Sequence, residues 1–258
     1  MNNQTSSDNT PSSELKGIKE MPLMDHIREL RKRLFISIIV CLIASVISYE
    51  QANNIFNLLC QPYFEYFPGS LLIGTGPADA FLIKLKISFF SGIILSSPII
   101  FYQIWLFVAP GLLDHEKSLV FPFLITSTAL FLTGIWFCYY IVLPFTFEFF
   151  YEQYDSIKLT PTVRITEHLS FMATSILSFG VVFELPILAY FLGRLGIINS
   201  KMLTGGMRYA IVIIFAVAAI MTPPDVLTQF LMAGPLLLLY GLSILVVKFT
   251  EKNNSNSS

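Results

Sequence analysis

The sequence predicts an all-α, polytopic membrane protein whose six transmembrane helices leave both termini in the cytoplasm. Composition is the first ground: of 258 residues, 54% are hydrophobic and 13% charged, about half the charge of a soluble domain. Its 24 Phe and 11 Tyr suit a lipid-facing surface with aromatic residues at the interfaces. The second ground is a set of six apolar runs: Leu34–Ser48, Ile87–Val108, Leu119–Leu143, Leu169–Leu192, Tyr209–Met221 and Val226–Val247, none containing Lys or Arg. The third is charge asymmetry. Lys84, Lys86, Lys158 and Arg164 fall in the loops assigned outside, and the other twelve of the 16 basic residues fall inside, as the positive-inside rule requires.

Taken in order, residues 1–19 are polar and rich in Asn, Ser and Thr and read as a disordered cytoplasmic tail, without the apolar core of a cleavable leader. Residues 20–250 form one transmembrane domain, and residues 251–258 a second disordered tail. Glu20–Ser48 opens the domain. Leu23, Ile27, Leu30 and Leu34 share one helical face, while Asp25, Arg28, Glu29, Lys32 and Arg33 spread over the other. This pattern predicts a helix that lies on the membrane surface and then turns in. Arg28, Arg31, Lys32 and Arg33, directly before the first run, mark that side as cytoplasmic.

A span needs about 20 residues. The second, third, fourth and sixth runs meet that length, the first does so with its flanks, and the fifth, with 13 residues, does not. The third can continue as helix past Pro144 to Phe150. Helices of such unequal length predict a concave body. Pro98, Pro186 and Gly234-Pro235 interrupt the spans and are expected to kink them.

Several functions are excluded or disfavoured. The few cations sit at span ends, which offers nothing to nucleic acid. His26, His115 and His168 lie at membrane edges without metal or nucleophile spacing, so no enzyme, metal site or cofactor is expected. Cys41 and Cys138 lie in apolar runs, which leaves Cys60 as the one candidate reactive thiol.

Glu184 is the sharpest intramembrane signal: a carboxyl in mid-span, with no cation in any run to meet it. It is expected either to face a wet interior cavity or to hydrogen-bond Gln103 or a carbonyl freed by Pro186. Glu29 reads as an i,i+4 ion pair with Arg33. Glu116 reads as a first-turn acid after an Asp114 cap, and Asp225 as the start of the last helix.

Four separated motifs alter that reading. Asp25-His26-Ile27-Arg28-Glu29-Leu30-Arg31-Lys32-Arg33-Leu34 is followed by Phe107-Val108-Ala109-Pro110-Gly111-Leu112-Leu113-Asp114-His115-Glu116. Phe179-Gly180-x-x-Phe183-Glu184-Leu185-Pro186 and Thr222-Pro223-Pro224-Asp225 complete the set. In this order they resemble the TatC family, the large integral subunit of the twin-arginine protein translocase, from about Met21 to Val247. The resemblance implies a receptor for Arg-Arg signal peptides of folded cargo, in a bacterial inner or thylakoid membrane. It would assemble with single-span TatA/TatB-type subunits and further copies of itself, and the proton motive force would drive transport. Glu29 and Glu116 would contact the twin arginines, bordered by Arg31, Phe107 and Leu112. Glu184, with Gln103, would line the interior cavity; Pro62 and Asp225 would be structural or partner-docking positions. Residue chemistry agrees, since a guanidinium forks two donors onto one carboxylate and lysine cannot.

Two other readings compete. A proton-coupled carrier of a small solute would use Glu184 as its site, but it lacks an internal repeat and a second midplane group. A scaffold for small membrane proteins would assemble partners without depending on Glu29 or Glu116.

Overall fold

A computed structural model describes residues 23–108, 120–221 and 226–255. Leu112, Glu116 and Asp225, with most of the second and all of the fourth motif's turn, lie outside the described residues. Ten α-helices and one parallel pair of short strands are described. Four helical stretches, Asp79–Val108, Phe121–Ser156, Ile165–Arg194 and Gln229–Glu251, are long and apolar enough to cross a membrane, and Met207–Ile220 is a shorter apolar helix.

Helix α1 (Leu23–Glu50) departs from expectation: its 28 residues run as one helix, with no turn between the basic segment and the apolar run. No Pro or Gly lies between Leu23 and Glu50, so nothing in the backbone chemistry ends the helix at Arg33. Its apolar stripe of Ile27, Leu30 and Leu34 is exposed, as a lipid-facing surface would be. Helix α2 (Ala52–Tyr66) follows after a single residue, contains Pro62, and leads to strand β1 (Leu71–Ile73).

Helix α3 (Asp79–Val108) starts eight residues before the predicted run and takes in Lys84 and Lys86. Its packing against α1 is closer than that of any ordinary side-chain interface. Buried Cys41, Ala44 and Ser48 on α1 meet Ser88, Gly92 and Ser96 on α3. A Cβ placed on Gly92 would stand 2.7 Å from the Ser45 backbone nitrogen. Small residues four apart let two backbones approach in this way where hydrocarbon supplies no hydrophobic drive.

The third run continues through Pro144, as expected, and further. Helix α4 (Val120–Phe137) passes through a widened π turn (Cys138–Val142) into α5 (Leu143–Ser156). In that turn the Leu143 N–H reaches Cys138 O, so the chain enters α5 without needing the donor that Pro144 lacks. Strand β2 (Thr162–Arg164) then pairs in parallel with β1, Leu72 opposite Val163. Strands of three residues carry no readable periodicity, and no pattern in the sequence marks them.

The fourth run is broken where Pro186 was expected to kink it. Helix α6 (Ile165–Val182) and α7 (Leu185–Arg194) meet at a turn formed by Phe183 and Glu184. Helix α8 (Ser200–Gly205) is capped by Asn199 Oδ1, which accepts from Met202 N at 2.7 Å. Helix α9 (Met207–Met221) has 15 residues, roughly 22 Å of rise. That stays short of a hydrocarbon core of about 30 Å, as the sequence predicts. Helix α10 (Val226–Ser255) closes the chain against α7 and α9.

Prolines free carbonyls four residues upstream, and two of these acquire side-chain donors. Leu58 O, opposite Pro62, accepts from Tyr139 Oη at 2.7 Å; Ile94 O, opposite Pro98, accepts from Ser97 Oγ at 2.7 Å. The main core gathers Phe179, Met172, Leu143, Phe147, Met232 and Leu236 from α5, α6 and α10. Cys60 belongs to a smaller core with Ile83, Ile87 and Leu169 and is 1% exposed. Burial pushes its thiol up to about 12, which corrects the expectation of a reactive cysteine.

Candidate functional site

The first turns of α1 meet the last turns of α3. His26, Glu29 and Arg33 recur at i, i+3 and i+7, one face of the helix, and that face turns inward while Asp25, Arg28, Arg31 and Lys32 remain exposed. The His26 ring stacks on Phe107, with centroids 4.4 Å apart at 25°. Arg33 Nη2 donates to Glu29 Oε1 at 3.1 Å, and Arg33 Nη1 donates to Gln103 Oε1 at 3.1 Å. The Glu29–Arg33 pair is the one the i,i+4 spacing predicts. It is drier than a surface pair, however, with side chains 21% and 24% exposed.

Gln103 therefore stands with Arg33 and Glu29, not beside Glu184 as expected. The physical reason is the strength of a charged donor: a guanidinium holds the amide oxygen more strongly than an uncharged donor does. Among the described residues Arg33 is the one partner of the Glu29 side chain, and Arg31 and Lys32 form no ion pair. Arg28 reaches Asp25 at 3.6 Å on the open surface. The structure thus brings together Glu29, Phe107 and Gln103, with Arg31 exposed on the adjoining face of α1. It adds His26, and it extends the expected Glu29–Arg33 pair across to α3. The i, i+3, i+7 recurrence of polar residues on an otherwise lipid-facing helix is the signal that could have found His26.

Glu184 occupies the turn between α6 and α7 and is 7% exposed. Its backbone continues the chain's hydrogen bonding: its N–H donates to Val181 O at 3.1 Å, and its carbonyl accepts from Leu188 N at 2.9 Å. Its Oε1 is buried without a partner. Ser127 of α4 accepts from Trp105 Nε1 at 3.3 Å, and Trp105 stacks on Phe123 at 4.6 Å and meets Phe191 edge-on at 5.1 Å. Helices α3, α4 and α7 are thus joined through the Trp105 ring. A cavity of about 550 Å³ is apolar, is lined from α1, α2, α3, α4, the π turn and α6, and does not include Glu184 in its lining.

Pro62 is buried inside α2, where the carbonyl it frees accepts from Tyr139. No cluster of three or more metal-ligating side chains exists among the described residues.

Comparison with known proteins places this geometry in context. A family model described as Sec-independent protein translocase protein (TatC) matches residues 25–235. Sec-independent protein translocase protein TatC of Helicobacter pylori strain J99 is 43% identical over 237 residues, 91% of this chain and 93% of that relative. Its counterpart in Aquifex aeolicus is 41% identical over 233 residues, covering 90% and 97%. A crystal structure described as the twin arginine translocase receptor TatC superposes with a TM-score of 0.83 at 41% identity, covering 88% of this chain and 99% of that one.

Proposed function

The chain belongs to the TatC family, and from that premise we propose that it is the signal-peptide receptor of a twin-arginine translocase. It is a multi-pass membrane protein of a protein-transport family. In this reading α1 and α9 join the four long apolar stretches to make six spans, with both termini in the cytoplasm of a bacterium like its relatives. One observation carries the proposal. A carboxylate, Glu29, lies one turn of α1 from the His26 ring that stacks on Phe107, in a geometry that already accepts a guanidinium.

Glu29 and Glu116 each take one arginine of the Arg-Arg tag, with Arg31, Phe107 and Leu112 bordering the peptide. A carboxylate gripping a guanidinium through two parallel donors gains strength and orientation that an ammonium does not reproduce. Asp225, ahead of α10, and the short α9 mark the side where single-span TatA/TatB-type subunits dock. A thin wall there favours helices of matching length. Further copies of the chain complete the complex, and the proton motive force drives export of the folded cargo. Glu184 is buried in the α6–α7 turn, so a change at that carboxyl is felt by both helices.

The test is binding of the purified chain in lipid nanodiscs to a labelled Arg-Arg signal peptide and to its Lys-Lys counterpart. Glu29→Ala and Glu116→Ala are expected to weaken capture of the first by at least tenfold, about 1.4 kcal/mol, with the fold retained. Equal affinity for the Lys-Lys peptide would refute the proposal.

A further inference from the structure

The group assigned to the ligand is already in use. Arg33 lays Nη2 on Glu29 Oε1 at 3.1 Å and spends Nη1 on Gln103 Oε1, also at 3.1 Å, across to α3. Its Nε is buried without a partner. The neighbouring cations behave otherwise: Arg31 and Lys32 point outward, and Arg28 holds the exposed Asp25. Of the basic cluster, one member alone is turned inward and shared between two helices. Its grip on the carboxylate is single-pointed, because the other Nη is committed to Gln103. A free arginine side chain is under no such constraint and can offer both donors to both carboxylate oxygens.

From this geometry we infer that Arg33 is a resident competitor for Glu29, the chain's own guanidinium, which an arriving arginine must displace. The inference rests on the reading of Glu29 as a ligand-binding carboxylate. In the empty receptor the resident pair keeps Glu29 from standing unpaired at a half-buried position, where a bare charge is unfavourable. On capture, a one-point contact is exchanged for a two-point one, while Arg33 keeps its bond to Gln103. Competition of this kind lowers the affinity of every cationic peptide by the same factor. It therefore sets a threshold that weak tags fail to cross, and it leaves the ratio between Arg-Arg and Lys-Lys tags unchanged.

The experiment titrates an Arg-Arg signal peptide into the purified full chain in nanodiscs. Arg33→Gln is expected to tighten binding by about three- to tenfold, the range of a partly buried single-point pair. Lys32→Gln, which removes a charge without touching Glu29, is expected to change it by less than about twofold, since an exposed charge is screened. In a Glu29→Ala background, Arg33→Gln is expected to have no further effect, because the competitor then has nothing to occupy. Weaker binding in Arg33→Gln would make Arg33 a positioning residue for Glu29 and overturn the inference. Equal tightening in Lys32→Gln would reduce the effect to general repulsion and overturn it as well. Should Arg33→Gln fail to fold, Arg33→Lys is the substitute, and its expected tightening is smaller but in the same direction. Full binding by Glu29→Ala would instead refute the receptor reading, whereas a required Glu29 with a neutral Arg33→Gln would refute only the competitor.

Discussion

Gly92 is where one atom tests the packing that holds the proposed site together. A Cβ at this position would stand 2.7 Å from Ser45 N and 2.8 Å from Ser45 Cα. Carbon contacts settle at about 3.5–4.0 Å, so Gly92→Ala forces α1 and α3 apart by about 1 Å. Both atoms belong to backbone and cannot rotate away. Overpacking of this type costs about 1–3 kcal/mol, and about 2 kcal/mol lowers the melting temperature of a chain this size by roughly 4–8 °C. The same two helices carry the Arg33–Gln103 bond of 3.1 Å, which is lost once its atoms separate beyond about 3.5 Å. Gly92→Ala is therefore expected to lower thermal stability in detergent, followed by fluorescence-detected gel filtration. Gly92→Leu is expected to lower it further and to impair peptide capture. Adding Ser45→Gly to Gly92→Ala removes the hydroxyl but not the backbone, so rescue is expected to be partial. A Gly92→Ala protein that melts within about 1 °C of the parent would refute the close approach of α1 and α3.

Ser127→Ala leaves the buried Trp105 Nε1 without its protein partner; the expected loss is about 1–3 kcal/mol, measured by thermal unfolding in the same detergent. Tyr139→Phe uncovers the Leu58 carbonyl that Pro62 leaves free, and about 1 kcal/mol of stability is expected to go with it. Cys60, with its thiol pushed from 9.0 up to about 12 by burial, is expected to resist maleimide at pH 8 until the chain is denatured; labelling of the native protein within minutes would contradict its burial. The linkage sign follows: the folded chain holds this proton more tightly, so the stability contribution is intact below pH 9 and falls as pH rises from about 9 toward about 12.

The legible part of the fold was the part governed by solvent transfer. Long apolar runs interrupted by basic clusters name their own environment, because a charge in hydrocarbon is too costly to place by accident. So the four long stretches, the short α9 and the passage of helix through Pro144 could all be read in advance. So could the Glu29–Arg33 pair, which depends on nothing beyond the pitch of one helix. The illegible part was governed by which helix lies beside which. Gln103 is 70 residues from Arg33 along the chain, and no local pattern says that it meets a guanidinium instead of Glu184. The β1–β2 pairing, the burial of Cys60 and the cover over Leu58 are contacts of the same long-range kind.

Taken alone, the amino-acid order determined that the chain enters the membrane, where most of its helices lie, and that a carboxylate and a guanidinium share one turn of α1. Those outcomes depend on free energies summed over neighbours in sequence. Only the tertiary structure decided that this pair turns inward to α3, that Gln103 takes the second arm of Arg33, and that Glu184 is buried in the turn between α6 and α7. Such outcomes depend on the approach of backbones at Gly92 and Ser45, a distance that residues far apart in the chain set jointly and that neither can reveal by itself.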